Sequence, residues 1–265
     1  MRLFFVIALT FFLRTTWAQT CDSVTISGPP AGAPASWMVD GRLIGAGVEL
    51  AQKLLKSAGV KQVKVVHYDS WAETLDAARA GTVDMIFSAG WSSDRARYLA
   101  YVYPAHGYQF LNVIVRTGQQ FTINQYEDLM GRKGLAGVGE SFGDSAFGAF
   151  VESVLNIERS PNIGESFRRL LSGEVDYLFV YENAAYSEIY RRDLGDKVEI
   201  LSTYPYRADT YFAFSKRSKC ASIWKDKVGA EIEKSNRKNE YYLLLKKYRT
   251  IFNENQLAPT VAPAK

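Results

Sequence analysis

Gly81-Thr-Val-Asp-Met-Ile-Phe-Ser-Ala-Gly-Trp-Ser-Ser-Asp-Arg-Ala-Arg-Tyr-Leu-Ala-Tyr-Val-Tyr-Pro104 is the stretch from which the architecture is read. Val83 to Phe87 has the length and apolarity of a buried strand, and Ser88, Gly90, Ser92 and Ser93 follow as small, donor-rich positions. In an open α/β sheet, ligands bind in the crevice outside the ends of such strands. Arg95 follows with a guanidinium suited to holding a carboxylate at two points. The plainer reading of Arg95 is a solvated residue on the first turn of a helix.

The front half of this stretch occurs twice. Ala80 to Phe87 reads A-G-T-V-D-M-I-F and Ser172 to Phe179 reads S-G-E-V-D-Y-L-F. Each follows an apolar-periodic helix, Trp71 to Ala80 and Ile163 to Leu171, so helix, glycine cap and buried strand recur as a unit. Two such units this far apart predict two similar lobes. Asp84 and Asp176 hold matching places in them and read as structural.

The 265 residues are 47% hydrophobic and 23% charged, ordinary for a globular protein with one large or two modest cores. Arg2, the apolar run Leu3 to Leu13 and Thr16-Trp17-Ala18 form a signal peptide over residues 1–18, cleaved after Ala18. Its removal takes Arg2 and Arg14 and lowers the formal charge from +4 to +2. Without a concentrated basic tract, that surplus argues against nucleic-acid binding. Cys21 and Cys220 are the only cysteines, and an even number in an exported chain predicts a disulfide; two separate thiols are the alternative.

Along the chain, Ser23 to Ser27 reads as a first strand, 28–35 as a Gly/Pro/Ala loop and Asp40-Gly41 as a turn. A helix ending at Gly59 and a strand over 61–66 follow. Ser70 and Glu73 form a capping box that puts Trp71 at a helix entrance, where the ring serves as a ligand wall or as a hydrophobic staple. Tyr108 to Arg116 is a strand long enough to pass between lobes, and Thr210 to Ser215 is its return. A helix is expected over Phe142–Leu155, and another after Tyr181, running to about Arg192. Helices over 221–235 and 240–248 pack back on the first lobe, and 253–265 is a flexible tail.

With these features in order, the chain resembles the periplasmic solute-binding proteins of family 3, the polar-amino-acid type, over nearly all of its mature length. The resemblance implies an α/β, type II periplasmic-binding fold. Each lobe is then a mixed, mostly parallel sheet flanked by helices, with residues 19–113 and 208–252 in lobe 1, 114–207 in lobe 2, and two hinge strands. It further implies a monomeric periplasmic receptor, without metal or other cofactor, that closes on a small carboxylate-bearing ligand and delivers it to an inner-membrane ABC permease. The Arg matching Arg95 holds the carboxylate, helped by groups matching Ser88, Ala89, Gly90 and Ser92. Ser141, in Gly139-Glu140-Ser141, brings a helix N-terminus from the second lobe. Trp71 lines the pocket, and Trp37 sits near an aromatic site of the family.

The departures concern the ligand's amine. Where amino-acid binders carry an Asp for the ammonium, this chain has Tyr181. Glu182 replaces that Asp only if the strand has ended or is bulged, since neighbouring strand residues face opposite ways. The loop before Pro34 lacks the usual covering aromatic, and the spacing from Asp84 to Arg95 is one residue short. Tyr181 and Trp91 are further candidate walls. Two other readings stand beside transport. One is an enzyme resembling the cyclohexadienyl dehydratases, with Glu182 or Glu140 as its acid; the other is a ligand sensor without a permease. Gly139 to Gly143 fits G-x-S-x-G, but His67 and His106 both precede Ser141, so the triad order of a hydrolase elbow fails.

Overall fold

The computed structural model describes residues 21–201 and 205–257; the expected signal peptide and the last residues of the expected tail lie outside the described residues. The elements are β1 (Ser23–Ser27), β2 (Ala31–Gly32), β3 (Ser36–Val39), β4 (Arg42–Ile44), α1 (Ala46–Ala58), β5 (Gln62–Val65), α2 (Trp71–Ala80), β6 (Met85–Gly90), α3 (Ser93–Ala96) and β7 (Leu99–Arg116). After a 3-10 turn come β8 (Gly134–Gly137), α4 (Ala146–Ser153), β9 (Ile157–Ser160), α5 (Ile163–Leu171), β10 (Tyr177–Tyr181), α6 (Glu182–Arg191), β11 (Val198–Ile200), β12 (Tyr206–Ser215), α7 (Ala221–Arg237) and α8 (Glu240–Leu257).

One continuous sheet runs β5-β1-β6-β12-β7-β10-β8-β9, with β11 added on β7. Pairing is parallel within β5-β1-β6 and within β10-β8-β9, while β7 and β12 run antiparallel to their neighbours. Both halves are covered on both faces, as expected of strands that read as unbroken apolar runs. In β6, Met85 and Phe87 face one core with Leu50, Leu54 and Phe212, while Ile86 and Ala89 face another with Leu75 and Leu99. In β10, Tyr177 and Phe179 pack with Phe147 and Val113, and Leu178 packs with Phe167 and Ile114 on the opposite side.

The repeated Gly-x-Val-Asp units occupy equivalent places. Gly81 caps α2 at φ 82° and Gly173 ends the turn after α5 at φ 81°, a left-handed geometry that favours glycine. Asp84 then accepts from the Thr25 amide at 2.8 Å, and Asp176 from the Lys133 amide at 2.7 Å. Each carboxylate pins the start of its strand to a parallel neighbour, and Asp84 also accepts from Ser218 Oγ at 2.6 Å. Their role is structural.

The lobes are joined by β7 and β12. Tyr108–Phe110 pairs with Arg207–Asp209, while β6 pairs with β12 from Thr210 onward and β10 pairs with β7 from Leu111 onward. Neither lobe's parallel strands pair with the ribbon between, so the lobes can turn about it without breaking their own strand pairing. The boundary expected at 113/114 falls inside β7, three residues past the first pairing with β10. The register between the hinge strands also shifts at Thr210/Phe212, leaving Tyr103–His106 unpaired, with Pro104 lacking an N–H. Cys21 and Cys220 are bonded, tying the start of the described chain to the entry of α7.

Several local expectations change. The residues read as a loop contain β2, which pairs with β3 just beyond them, and Asp40 and Gly41, both at positive φ, turn β3 into β4. The helix expected from Phe142 begins only at Ala146, where Ser145 accepts from the Gly148 amide, because Gly143 turns the chain at φ 66°. The C-terminal helix continues past the expected start of the tail to Leu257. Phe252 is buried against Trp37, and Asn253 accepts from Tyr186 of α6 at 2.8 Å, so this helix end touches both lobes.

Candidate functional site

Between the lobes lies a cleft of about 320 Å³ lined from both sides. From the first lobe come Ser36, Ser70, Trp71, Ser88, Gly90 and Arg95; from the second, Glu140, Ser141, Phe179, Tyr181 and Asn183; from the hinge strands, Gln109 and Thr210. Among the described residues, no group of three or more His, Cys, Asp or Glu could hold a metal ion.

Arg95 is only 5% exposed. Ser92 accepts its backbone N–H at 3.3 Å and so caps the short α3, which aims the side chain inward. Nη1 donates to the Gly90 carbonyl at 2.8 Å and Nη2 to the Gly139 carbonyl at 2.6 Å, and the guanidinium carbon lies 5.7 Å from the Trp71 ring centre. Gly139 belongs to the second lobe, so this bond spans the cleft. A second bridge runs from the Ser93 amide to Asp144 Oδ1 at 3.2 Å. Among the described residues, no carboxylate lies within ion-pair distance of Arg95, a buried cation that leaves N–H donors for an anion entering the cleft.

Around it, Trp71 heads α2 on the expected capping box: Ser70 Oγ accepts from the Glu73 amide at 3.2 Å, and the Glu73 carboxylate accepts from the Asp69 amide at 3.2 Å. Ser88 takes φ 59°, an uncommon conformation for a residue with a Cβ, at the strand mouth. Tyr181 donates to the Ser141 carbonyl at 2.8 Å, and burial holds its hydroxyl far above the ordinary range. Burial likewise raises the Glu140 carboxyl, with the charges of Arg95 and Arg159 opposing the shift.

The cleft therefore brings together Arg95, Ser88, Gly90, Trp71, Ser141 and Tyr181. It does not include Trp37, whose ring packs edge-on against Tyr248 and Phe252 at 5.9 and 5.5 Å, because that face of β3 is covered by α8. Ala89 and Ser92 are also absent from the wall: Ala89 points into the core behind β6, and the Ser92 hydroxyl is spent on the cap. Trp91 is 38% exposed outside the lining. The helix N-terminus expected at Ser141 starts five residues later. The strand does end at Tyr181, the condition under which Glu182 could take that Asp's place, yet Glu182 as the first residue of α6 is exposed and does not line the cleft. Sequence reading missed Asn183, Gln109 and Thr210, because no motif marks a residue that reaches the cleft through the hinge or the first turn of α6.

The sequence matches the bacterial extracellular solute-binding proteins of family 3 over residues 24–251. Among curated proteins, none matches it. Similar solved structures include an amino acid ABC transporter substrate-binding protein from Streptococcus pneumoniae bound to L-arginine, with TM-score 0.71 and 18% identity over 87% of this chain and 96% of that one. Another is a histidine kinase sensor domain similar to periplasmic binding proteins, with TM-score 0.68 and 19% identity over 85% and 95%. A third is the GluR0 ligand-binding core from Nostoc punctiforme with L-glutamate, with TM-score 0.64 and 16% identity over 85% and 98%. At these identities the likeness is one of fold.

Proposed function

Because this chain belongs to the bacterial extracellular solute-binding proteins of family 3, we propose that it is a periplasmic receptor for an amino acid or a related small carboxylate. It captures the ligand between its lobes and hands it to an ABC-type permease. The observation that carries this reading is Arg95, buried where the lobes meet, donating to the Gly90 and Gly139 carbonyls and without an acidic ion-pair partner among the described residues. A ligand carboxylate completes its coordination, with Trp71 and Tyr181 as walls and Ser88, Gly90 and Ser141 nearby. The bonds from Arg95 to Gly139 and from Ser93 to Asp144 belong to the closed arrangement, which a permease distinguishes from the open one. The receptor acts as a monomer after export and removal of residues 1–18.

The test is a thermal-shift screen of the mature protein against amino acids, simple carboxylates and aromatic acids including prephenate and arogenate. A ligand that raises Tm in the wild type and not in Arg95→Met supports the reading; a ligand that stabilises both equally overturns the role of Arg95. The dehydratase alternative retains one acid, because burial raises the Glu140 carboxyl within the cleft. Conversion of prephenate or arogenate by the purified protein decides for that reading.

A further inference from the structure

The position that should hold an acid for the ligand's amine holds Tyr181, and its neighbour Glu182 is exposed outside the cleft. We infer that Glu140, supplied by the second lobe, is the acceptor for a cationic group on the ligand, so that the receptor selects zwitterionic amino acids over acids lacking the amine. This rests on the receptor reading above.

Placement supports it first. The Gly139 carbonyl, 2.6 Å from Arg95 Nη2, belongs to the peptide unit that leads into Glu140. Bond lengths across a planar trans peptide therefore keep the Glu140 Cα within about 5.5 Å of the guanidinium nitrogen. A cation and a carboxylate thus start from adjacent points on opposite lobes, which suits a molecule bearing both charges on neighbouring atoms.

Partnership supports it second. Among the described residues, the Glu140 carboxylate accepts no hydrogen bond and forms no ion pair; only its backbone is engaged, the N–H donating to the Gly137 carbonyl at 3.2 Å and the carbonyl accepting from Arg159 at 3.2 Å. Arg159 itself is committed to Glu152 at 2.8 Å. A half-buried carboxylate left this way lacks a donor, and an ammonium supplies up to three. Asn183, 9% exposed on the same wall, has a side-chain amide that makes no hydrogen bond among the described residues and offers its oxygen to the same group.

The other charges on the wall are accounted for. Arg191 pairs with Glu188 at 2.7 Å and Arg192 pairs with the same carboxylate. Asp69 is exposed at the rim. Away from the exposed rim, that leaves one guanidinium and one carboxylate without an ion-pair partner among the described residues of the cleft lining, a complement to a zwitterion with no net charge.

The experiment is titration calorimetry at pH 7.5 with the common L-amino acids and the matching 2-hydroxy acids, on wild type, Glu140→Gln and, as a rim control, Asp69→Asn. The wild type is expected to favour the amino acid, and Glu140→Gln to reduce that preference by about 10- to 100-fold, the range of a charge-assisted contact. Asp69→Asn leaves the preference unchanged. A Glu140→Asp variant, which keeps the charge, retains more of the preference than Glu140→Gln and separates recognition from any loss of folding. If the wild type binds a carboxylate but the preference is absent, or survives in Glu140→Gln, the inference about Glu140 is overturned while the receptor reading stands. If none of these compounds binds the wild type, the receptor reading falls and the inference with it.

Discussion

His106 predicts a measurable acid sensitivity seated at the hinge. The imidazole is 4% exposed, in the unpaired segment of β7, between the Phe212 ring at 4.3 Å and the Tyr241 ring at 4.8 Å. Neither ring nitrogen has a hydrogen-bond partner among the described residues. Burial alone lowers its pKa to about 3 from an ordinary 6.5. The Tyr241 hydroxyl beside it is pushed up to about 12, so it stays neutral over the range that matters. A base whose folded pKa is lowered binds fewer protons in the folded protein than in the unfolded chain. Its contribution is intact above the unfolded pKa and is lost as pH falls from 6.5 toward 3. By pH 4.5 the loss is about 3 kcal/mol, or about 5 to 10 °C in Tm for a chain of this size. Leu is close to His in volume and needs no hydrogen bond, so His106→Leu is expected to lie within about 1.5 kcal/mol of wild type at pH 7.5. Scanning calorimetry of both proteins at pH 7.5 and 4.5 is the assay. The wild type should lose about 5 to 10 °C more than the variant on acidification, and equal losses would refute the reasoning.

Three further outcomes are expected. Arg95→Met should weaken ligand binding by more than about 100-fold by calorimetry, through loss of charge-assisted contacts, while costing the unliganded protein little, because Tyr101 still donates to the Gly90 carbonyl at 2.8 Å. Cys21→Ala with Cys220→Ala removes a crosslink spanning 199 residues, and denaturant unfolding should show a loss of up to about 5 kcal/mol in the chain-entropy model. Asp84→Ala should cost about 1 to 3 kcal/mol by leaving the Thr25 amide and the Ser218 hydroxyl without their acceptor. It should leave ligand affinity unchanged, and a loss of affinity at full stability would contradict the structural role.

Patterns confined to a few adjacent residues were legible before any coordinates. The paired Gly-x-Val-Asp units, the capping box at Ser70 and Glu73, and the strand mouth ending in Arg95 depend on local spacing, and they appear where the spacing places them. The disulfide followed from the even number of cysteines together with the expectation of export. Trp37 shows where this reasoning stops. Nothing near it in sequence reveals that α8, two hundred residues later, lies across its face and removes it from the cleft. The same helix carries order beyond the point where composition suggested a tail, since Phe252 and Asn253 find partners on another element.

The sequence by itself determined the two repeated units, their principal strands and the place of Arg95 beside a strand mouth, because each is written in periodicity and short-range hydrogen bonding. The order of strands in the sheet and the burial of Arg95 came from the tertiary structure. The tertiary structure decided what faces Arg95 across the cleft. Tyr181 and Glu182 were the residues to inspect along the chain, yet β10 ends at Tyr181 and Glu182 turns to solvent, while Glu140 from a different loop meets the cleft. Which carboxylate shares a cavity with a guanidinium depends on how two lobes close about a hinge, and a contact of that kind leaves no periodic trace in the chain.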